Sequence, residues 1–206
     1  FAPNRSKGSS AVAYALCIAA SLLVFLPIAA FAILTFVVKY PLNMTFTFNN
    51  MLRTLDIGGG QYLLNSVVIG LFVAVIGVVI SFATAYLTAR MPSKSSRFLH
   101  LISITSLAIP GLAMGISYVL FFKGSFLYGT LAILILVNLM HFFASPYLMM
   151  YNTLGKLNGN LEAVGATLGI GRMRIIKDVL IPQSRGTLAE MFSYFFVNSM
   201  MTISAV

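Results

Sequence analysis

Charge is scarce in this sequence. Of 206 residues only 8% are charged, thirteen basic and four acidic, against about 25% in an ordinary soluble domain. Seventeen ionised side chains cannot cover a water-soluble globule of this length, which excludes a soluble enzyme. The 59% hydrophobic content equally excludes a disordered polymer. Four carboxylates leave little for acid–base work, and no catalytic residues are assigned. A single cysteine, Cys17, rules out a disulfide scaffold or a multi-cysteine metal site. No G-x-x-x-x-G-K-[ST] loop occurs. Lys7 precedes Gly8 and Lys156 follows Gly155, but neither has the spaced glycine and the following Ser or Thr, so the chain does not itself cradle ATP. His100 and His141 have no Cys or carboxylate at ligand spacing. They read as packed, hydrogen-bonded histidines, and no metal is assigned.

What is present is a set of long stretches without charge: Gly8–Val38, Ile57–Ala89, Phe98–Phe122 and Gly124–Gly155. A helix needs ~20 mostly apolar residues to cross the hydrocarbon, because each backbone N–H and C=O must find its partner within the segment. Spans are expected near 12–38, 62–89, 98–122 and 129–151, with a fifth starting near Met191 and still apolar at Val206. The first apolar run is too long for a secretory signal, and no small-residue cleavage pattern follows it. No Asp or Glu falls inside a span, which weighs against a proton-coupled carrier.

Orientation follows from the basic residues of the short loops. With the N-terminus in the cytoplasm, Arg5, Lys7, Arg90, Lys94, Arg97, Lys156, Arg172, Arg174, Lys177 and Arg185 fall inside, and only Lys39, Arg53 and Lys123 fall outside. The net charge of +9 is therefore a topology signal; no basic stripe interleaved with aromatics points to nucleic acid. The chain starts without Met and stops within an apolar run, so the natural chain is expected to continue, completing span five and returning in a sixth.

The segment Tyr151–Glu190 is the one long inner loop, holding eight of the seventeen charges. Asn160 is a fair N-cap, with Glu162 in the first turn where the helix dipole favours an anion. Leu161, Gly165 and Leu168 share a face. Gly169 and Gly171 then break the helix. A second helix runs from about Arg172, with Met173, Ile176 and Leu180 on one side, and Pro182 is expected to close the unit. Periodicity alone leaves two readings open: a hairpin that only anchors the loop in the headgroups, or one that engages a partner.

This segment resembles the cytoplasmic "EAA" loop of binding-protein-dependent ABC transporter permeases, written E-A-A, three residues, G, nine residues, I-x-L-P. Aligned on Gly169, Val179 stands for the Ile, Ile181 for the Leu, and Pro182 is in register. The motif's Glu position holds Ala163, with Glu162 one residue earlier, and its two alanines are Val164 and Gly165. Asn65-Ser66, Ala85-Tyr86 with Arg90, Pro110-Gly111 with Gly115, Gly129-Thr130, His141 and Pro146-Tyr147 resemble the same family in order and spacing across roughly residues 60–190.

The resemblance implies an all-α fold: a polytopic transmembrane helix bundle of the type I (MetI-like) importer permease class, about five of six spans present. Residues 1–206 then form a single, C-terminally incomplete permease domain with a coupling loop at 152–189. Such a chain sits in a bacterial cytoplasmic (inner) membrane. It is a transporter subunit with no cofactor of its own, and ATP is bound and hydrolysed by a separate ABC ATPase subunit. A second permease copy or paralogue, an extracytoplasmic substrate-binding protein and the lipid bilayer are its other partners. The chain reads equally as a trimmed subunit or as the second half of a fused permease. The loop residues at the ATPase are Glu162, Ala163, Gly165, Gly169, Gly171, Val179, Ile181 and Pro182. The outer loop Lys39–Gly60, with Tyr40, Asn43, Asn49, Asn50 and Arg53, is the docking candidate for the binding protein. The polar candidates for a translocation pathway are Asn65, Asn138, His141, Asn198, Ser199 and Thr202. The ending Phe196–Val206 resembles permeases for 2-aminoethylphosphonate, with ferric iron, polyamine or sulfate as alternatives. A stand-alone channel or secondary carrier, or a membrane scaffold, are the competing classes.

Overall fold

The computed structural model describes residues 7–203. Arg5, counted above among the inward cations, and the last three residues of the phosphonate-like ending lie outside them. The chain divides into two compact units, Phe1–Tyr62 and Leu63–Val206.

In the first unit, α1 (Lys7–Thr35) is a 29-residue helix, long enough to cross a bilayer. Two of its hydroxyls are returned to its own backbone: Ser21 Oγ donates to the Cys17 carbonyl (2.8 Å) and Thr35 Oγ1 to that of Phe31 (2.9 Å). The segment expected to be a plain outer loop is structured. Strands β1 (Val37–Lys39) and β2 (Asn43–Phe46) pair antiparallel, and α2 (Asn49–Asp56) follows. Phe36, Phe46 and Phe48 cluster with ring centroids 5.0–5.7 Å apart. Asn50 donates to the carbonyls of Val37 (2.7 Å) and Thr35 (3.2 Å), tying α2 to the hairpin.

The second helix of span length, α3 (Gly59–Arg90), has 32 residues and extends about 48 Å at 1.5 Å per residue. The expected third span is not one continuous helix. It is α4 (Lys94–Thr105) and α5 (Gly111–Phe122), each of 12 residues and too short to span alone. Pro110 is the cause: it has no N–H to continue a ladder and it biases Ile109 away from helix. α5 starts from it instead, Met114 N–H donating to the Pro110 carbonyl at 3.1 Å.

The fourth span is α6 (Leu131–Phe142) and α7 (Ala144–Lys156), bent by 51°. Pro146 leaves the Phe142 carbonyl without its helical donor, which accounts for the kink. α11 (Arg185–Ile203) begins one and a half turns before the apolar run expected from Met191. Among the described residues two helices, or three counting the bent pair, have the length and composition of a span.

Two buried clusters hold the second unit together. One joins Ala85 and Tyr86 of α3, Tyr147, Met150 and Leu154 of α7, Ile175, Leu180, and Met191 of α11. The other joins Ile69, Val73 and Ala74 to Leu139 and Phe195. Close approach here requires glycine at position 77, where a Cβ would lie 2.7 Å from the Phe195 ring.

Candidate functional site

After α7 the chain forms α8 (Leu161–Thr167), then α9 (Arg172–Ile175), a wide π turn over Ile176–Leu180, and α10 (Ile181–Gln183) leading to α11. The end of α8 is set by Gly169, at φ +69°. Ile170 N–H donates to the Gly165 carbonyl (2.8 Å) and Gly169 N–H to that of Ala166 (3.2 Å), the Schellman arrangement that needs a left-handed residue at this place. Gly171 has a different role from the one expected: its φ is −66° and it starts α9 as N-cap. α8 then folds back on α9. A Cβ at Gly165 would overlap Ile175 Cδ1, so only glycine allows this contact.

Asn160 occupies the N-cap position of α8 without a side-chain capping bond. The Asn158 side chain instead accepts from Asn160 N–H at 2.9 Å. Pro182 does not close the unit. The chain stays helical through it, because the π turn before it widens the ladder where a proline N–H is missing. Ser184 helps, its Oγ donating to the Leu180 carbonyl at 2.6 Å. The extra residue in the turn also rotates the helix face: Leu180 is buried and Ile176 half-buried, but Met173 is 77% exposed.

One side chain gathers these elements. Arg90, the last residue of α3, is 4% exposed and faces Glu162 of α8, which is 18% exposed. Its Nε donates to Oε1 at 2.9 Å and its Nη2 to Oε2 at 2.5 Å. The same guanidinium donates to the carbonyls of Leu154 (3.4 Å), Leu157 (3.1 Å) and Asn158 (2.7 Å). These lie at the C-terminal end of α7, where helical carbonyls lose their partners and the dipole favours a cation. The Arg90 hydrogen bond holds the Glu162 carboxyl below the usual glutamate range, against an opposing effect of burial.

Glu162 therefore points into the protein. The residues of the loop that face outward are Ala163, Val164, Leu168 (68% exposed), Gly169, Ile170 and Met173, with Arg172, Arg174 and Lys177 beside them. Val179 is half-buried, and Ile181 and Pro182 are exposed. Sequence reasoning counted Arg90 only as an inward cation and as part of a motif. Its place as the last residue of a long apolar run, in a chain with only four carboxylates, was the available signal.

Beneath the loop, Tyr147 Oη donates to Thr88 Oγ1 (2.9 Å) and lies 2.6 Å from His100 Nδ1. Thr88 Oγ1 donates in turn to the Thr84 carbonyl at 2.9 Å. His100 is thus a packed, hydrogen-bonded histidine, as expected. Among the described residues no group of three or more His, Cys, Asp or Glu is placed to hold a metal.

The pathway candidates are only partly brought together. Asn138, His141 and Thr202 line a cavity of about 560 Å³ with Gly111, Gly115 and Tyr118; Asn65, Asn198 and Ser199 do not line it. The Asn138 amide donates to the Leu134 carbonyl (2.8 Å) and that of Asn198 to Tyr194 (2.8 Å). Thr202 Oγ1 donates to the Asn198 carbonyl at 2.9 Å. Asn138 Oδ1 and Ser199 Oγ are buried without a hydrogen-bond partner.

Residues 77–206, which contain the whole of this loop, match the family described as binding-protein-dependent transport system inner membrane component. The chain belongs to that family. It is a multi-pass membrane protein of the ABC importer permease class, a transporter component and not an enzyme. It is similar to the ferric transport system permease protein FbpB of Actinobacillus pleuropneumoniae, 25% identical over 178 residues covering 84% of this chain and 26% of the relative. The putative ferric transport system permease protein FbpB 1 of Haemophilus influenzae is 25% identical over 178 residues, covering 84% of this chain and 28% of its own length. The chain thus spans about a quarter of the length of these curated relatives.

Proposed function

We propose that this chain is the membrane subunit of an ATP-driven importer and that its loop at 160–182 seats in a separate ATPase subunit. A second permease copy or paralogue would complete the pathway, and an extracytoplasmic binding protein would deliver the solute. The N-terminus is cytoplasmic in this reading, which puts the loop and the ATPase on one side. The observation that carries it is the construction of the loop: fixed from within by Arg90, Glu162 and Gly165, it turns Val164, Leu168, Ile170 and Met173 outward, ringed by Arg172, Arg174 and Lys177. A push passes only through a packed element with discrete positions, and apolar side chains left in water favour a partner. Of the motif residues, Ala163 and Gly169 belong to the facing surface. Glu162 and Gly165 shape it from behind.

The substrate proposed is ferric iron, in preference to 2-aminoethylphosphonate, because both relatives above are named for ferric transport. The test is co-purification and ATP hydrolysis with an ABC ATPase subunit from the same source. Gly169→Val, strained at its positive φ, should abolish coupled hydrolysis while the membrane bundle still accumulates. Full coupling in that variant would refute the seating of the loop. Flux through liposomes holding this chain alone would support a stand-alone channel instead. Uptake of radiolabelled iron, with phosphonate as competitor, decides the substrate.

A further inference from the structure

The geometry points to Arg90 as the positioning residue that makes α3 and the loop move as one body. The inference rests on the proposed coupling role of the loop and adds the route by which its displacement reaches a membrane span.

Contacts of α8 with α9 hold the loop together internally, and the apolar cluster of Ala85 and Tyr86 with Ile175 and Leu180 packs it against α3. Apolar packing is non-directional; Arg90 adds the directional attachment. Its guanidinium makes five hydrogen bonds at 3.4 Å or less, two to Glu162 and three to the carbonyls of residues 154, 157 and 158. One planar group thus joins the end of α3, the end of α7 and the start of α8. A displacement of α8 by a partner is carried by the short bidentate pair to a residue that continues directly into the α3 helix. Buried charge-assisted bonds are strong and directional, so the joint resists both stretching and rotation. Lysine cannot reproduce it: a single ammonium has three donors and no fork to match a carboxylate. Arg90 does not belong to the outward surface at 163–173, so its loss should leave partner binding in place.

The experiment uses the complex of this chain with its ATPase subunit, reconstituted with the binding protein. Arg90→Lys should still bind the ATPase and hydrolyse ATP near the wild-type rate, while iron transported per ATP falls about tenfold, within the range of coupling energies between sites. Glu162→Gln, which keeps the three carbonyl bonds, should show a smaller loss. The exchanged pair Arg90→Glu with Glu162→Arg should recover part of the coupling lost in Arg90→Glu alone. Spin labels at Leu87→Cys and Ala166→Cys, in a Cys17→Ser background, give a second readout. The distance distribution should be narrow and the same with and without ATP in the wild type, and broad in Arg90→Lys. Wild-type transport per ATP in Arg90→Lys, or an equally narrow distribution, would overturn the inference. Should Arg90→Lys fail to accumulate, Glu162→Gln carries both measurements. A wild-type chain that binds no ATPase would instead break the coupling reading, and the label distances would still judge the joint.

Discussion

Two connections in this protein join membrane helices, and they are held by different means. Between α1 and α3, the β hairpin and α2 are tied by neutral groups: the Asn50 amide on two carbonyls, and three phenylalanine rings against one another. Between α7 and α11, the tie is an ionised pair with a buried guanidinium, together with a glycine that lets two helices touch. Bonds to charged groups are worth more than neutral ones, and removing one partner leaves the other uncompensated. The second connection is therefore the stiffer, and its failure should be the more abrupt.

Substitutions can break this contrast. The largest effect is expected for Arg90→Ala, which strips Glu162 and three carbonyls of their donor: about 3 kcal/mol of stability, read from thermal unfolding in detergent. Gly165→Val should follow, at about 1–3 kcal/mol for forcing a side chain into the place of Ile175. Gly155→Ala is its control, since nothing lies within 4 Å of a Cβ there. Asn50→Ala, in the neutral connection, should cost about 1 kcal/mol. If Asn50→Ala proved as damaging as Arg90→Ala, the distinction between the two connections would fail.

The smallest effect concerns pH. The Glu162 carboxyl sits below its unfolded value, so its contribution is complete above the ordinary glutamate value of about 4.3 and is lost only as pH falls through the lowered one. Hydrogen exchange in residues 157–170 should stay slow down to about pH 4 and rise below it. In Glu162→Gln, that step should vanish.

Much of this architecture was legible in the charge pattern. Runs without ionised residues located α1 and α3, because a helix in lipid must be long and apolar. Gly169 announced the end of α8, since few residues accept its backbone conformation. The prolines were read less well. Pro110 and Pro146 break expected spans into pieces, whereas Pro182, expected to stop a helix, is absorbed by a π turn and a serine. Proline removes one donor in every case, and what the backbone does about it depends on neighbours far away in sequence.

The Arg90–Glu162 pair was hidden for the same reason: 72 residues separate its members, and only packing brings them together. Glu162 was counted among the coupling-loop residues, and its pairing with Arg90 could not be read from the sequence. The short hairpin at Val37–Phe46 was missed because its few residues lack a sustained alternation.

The most direct test places a photoreactive amino acid at Met173, the most exposed apolar side chain of the loop, and irradiates the intact complex in native membranes. The loop's seating in an ATPase predicts a covalent product between this chain and the ATPase subunit, whose yield changes when ATP is added. Labelling of lipid alone, with no ATPase captured in either condition, would contradict it.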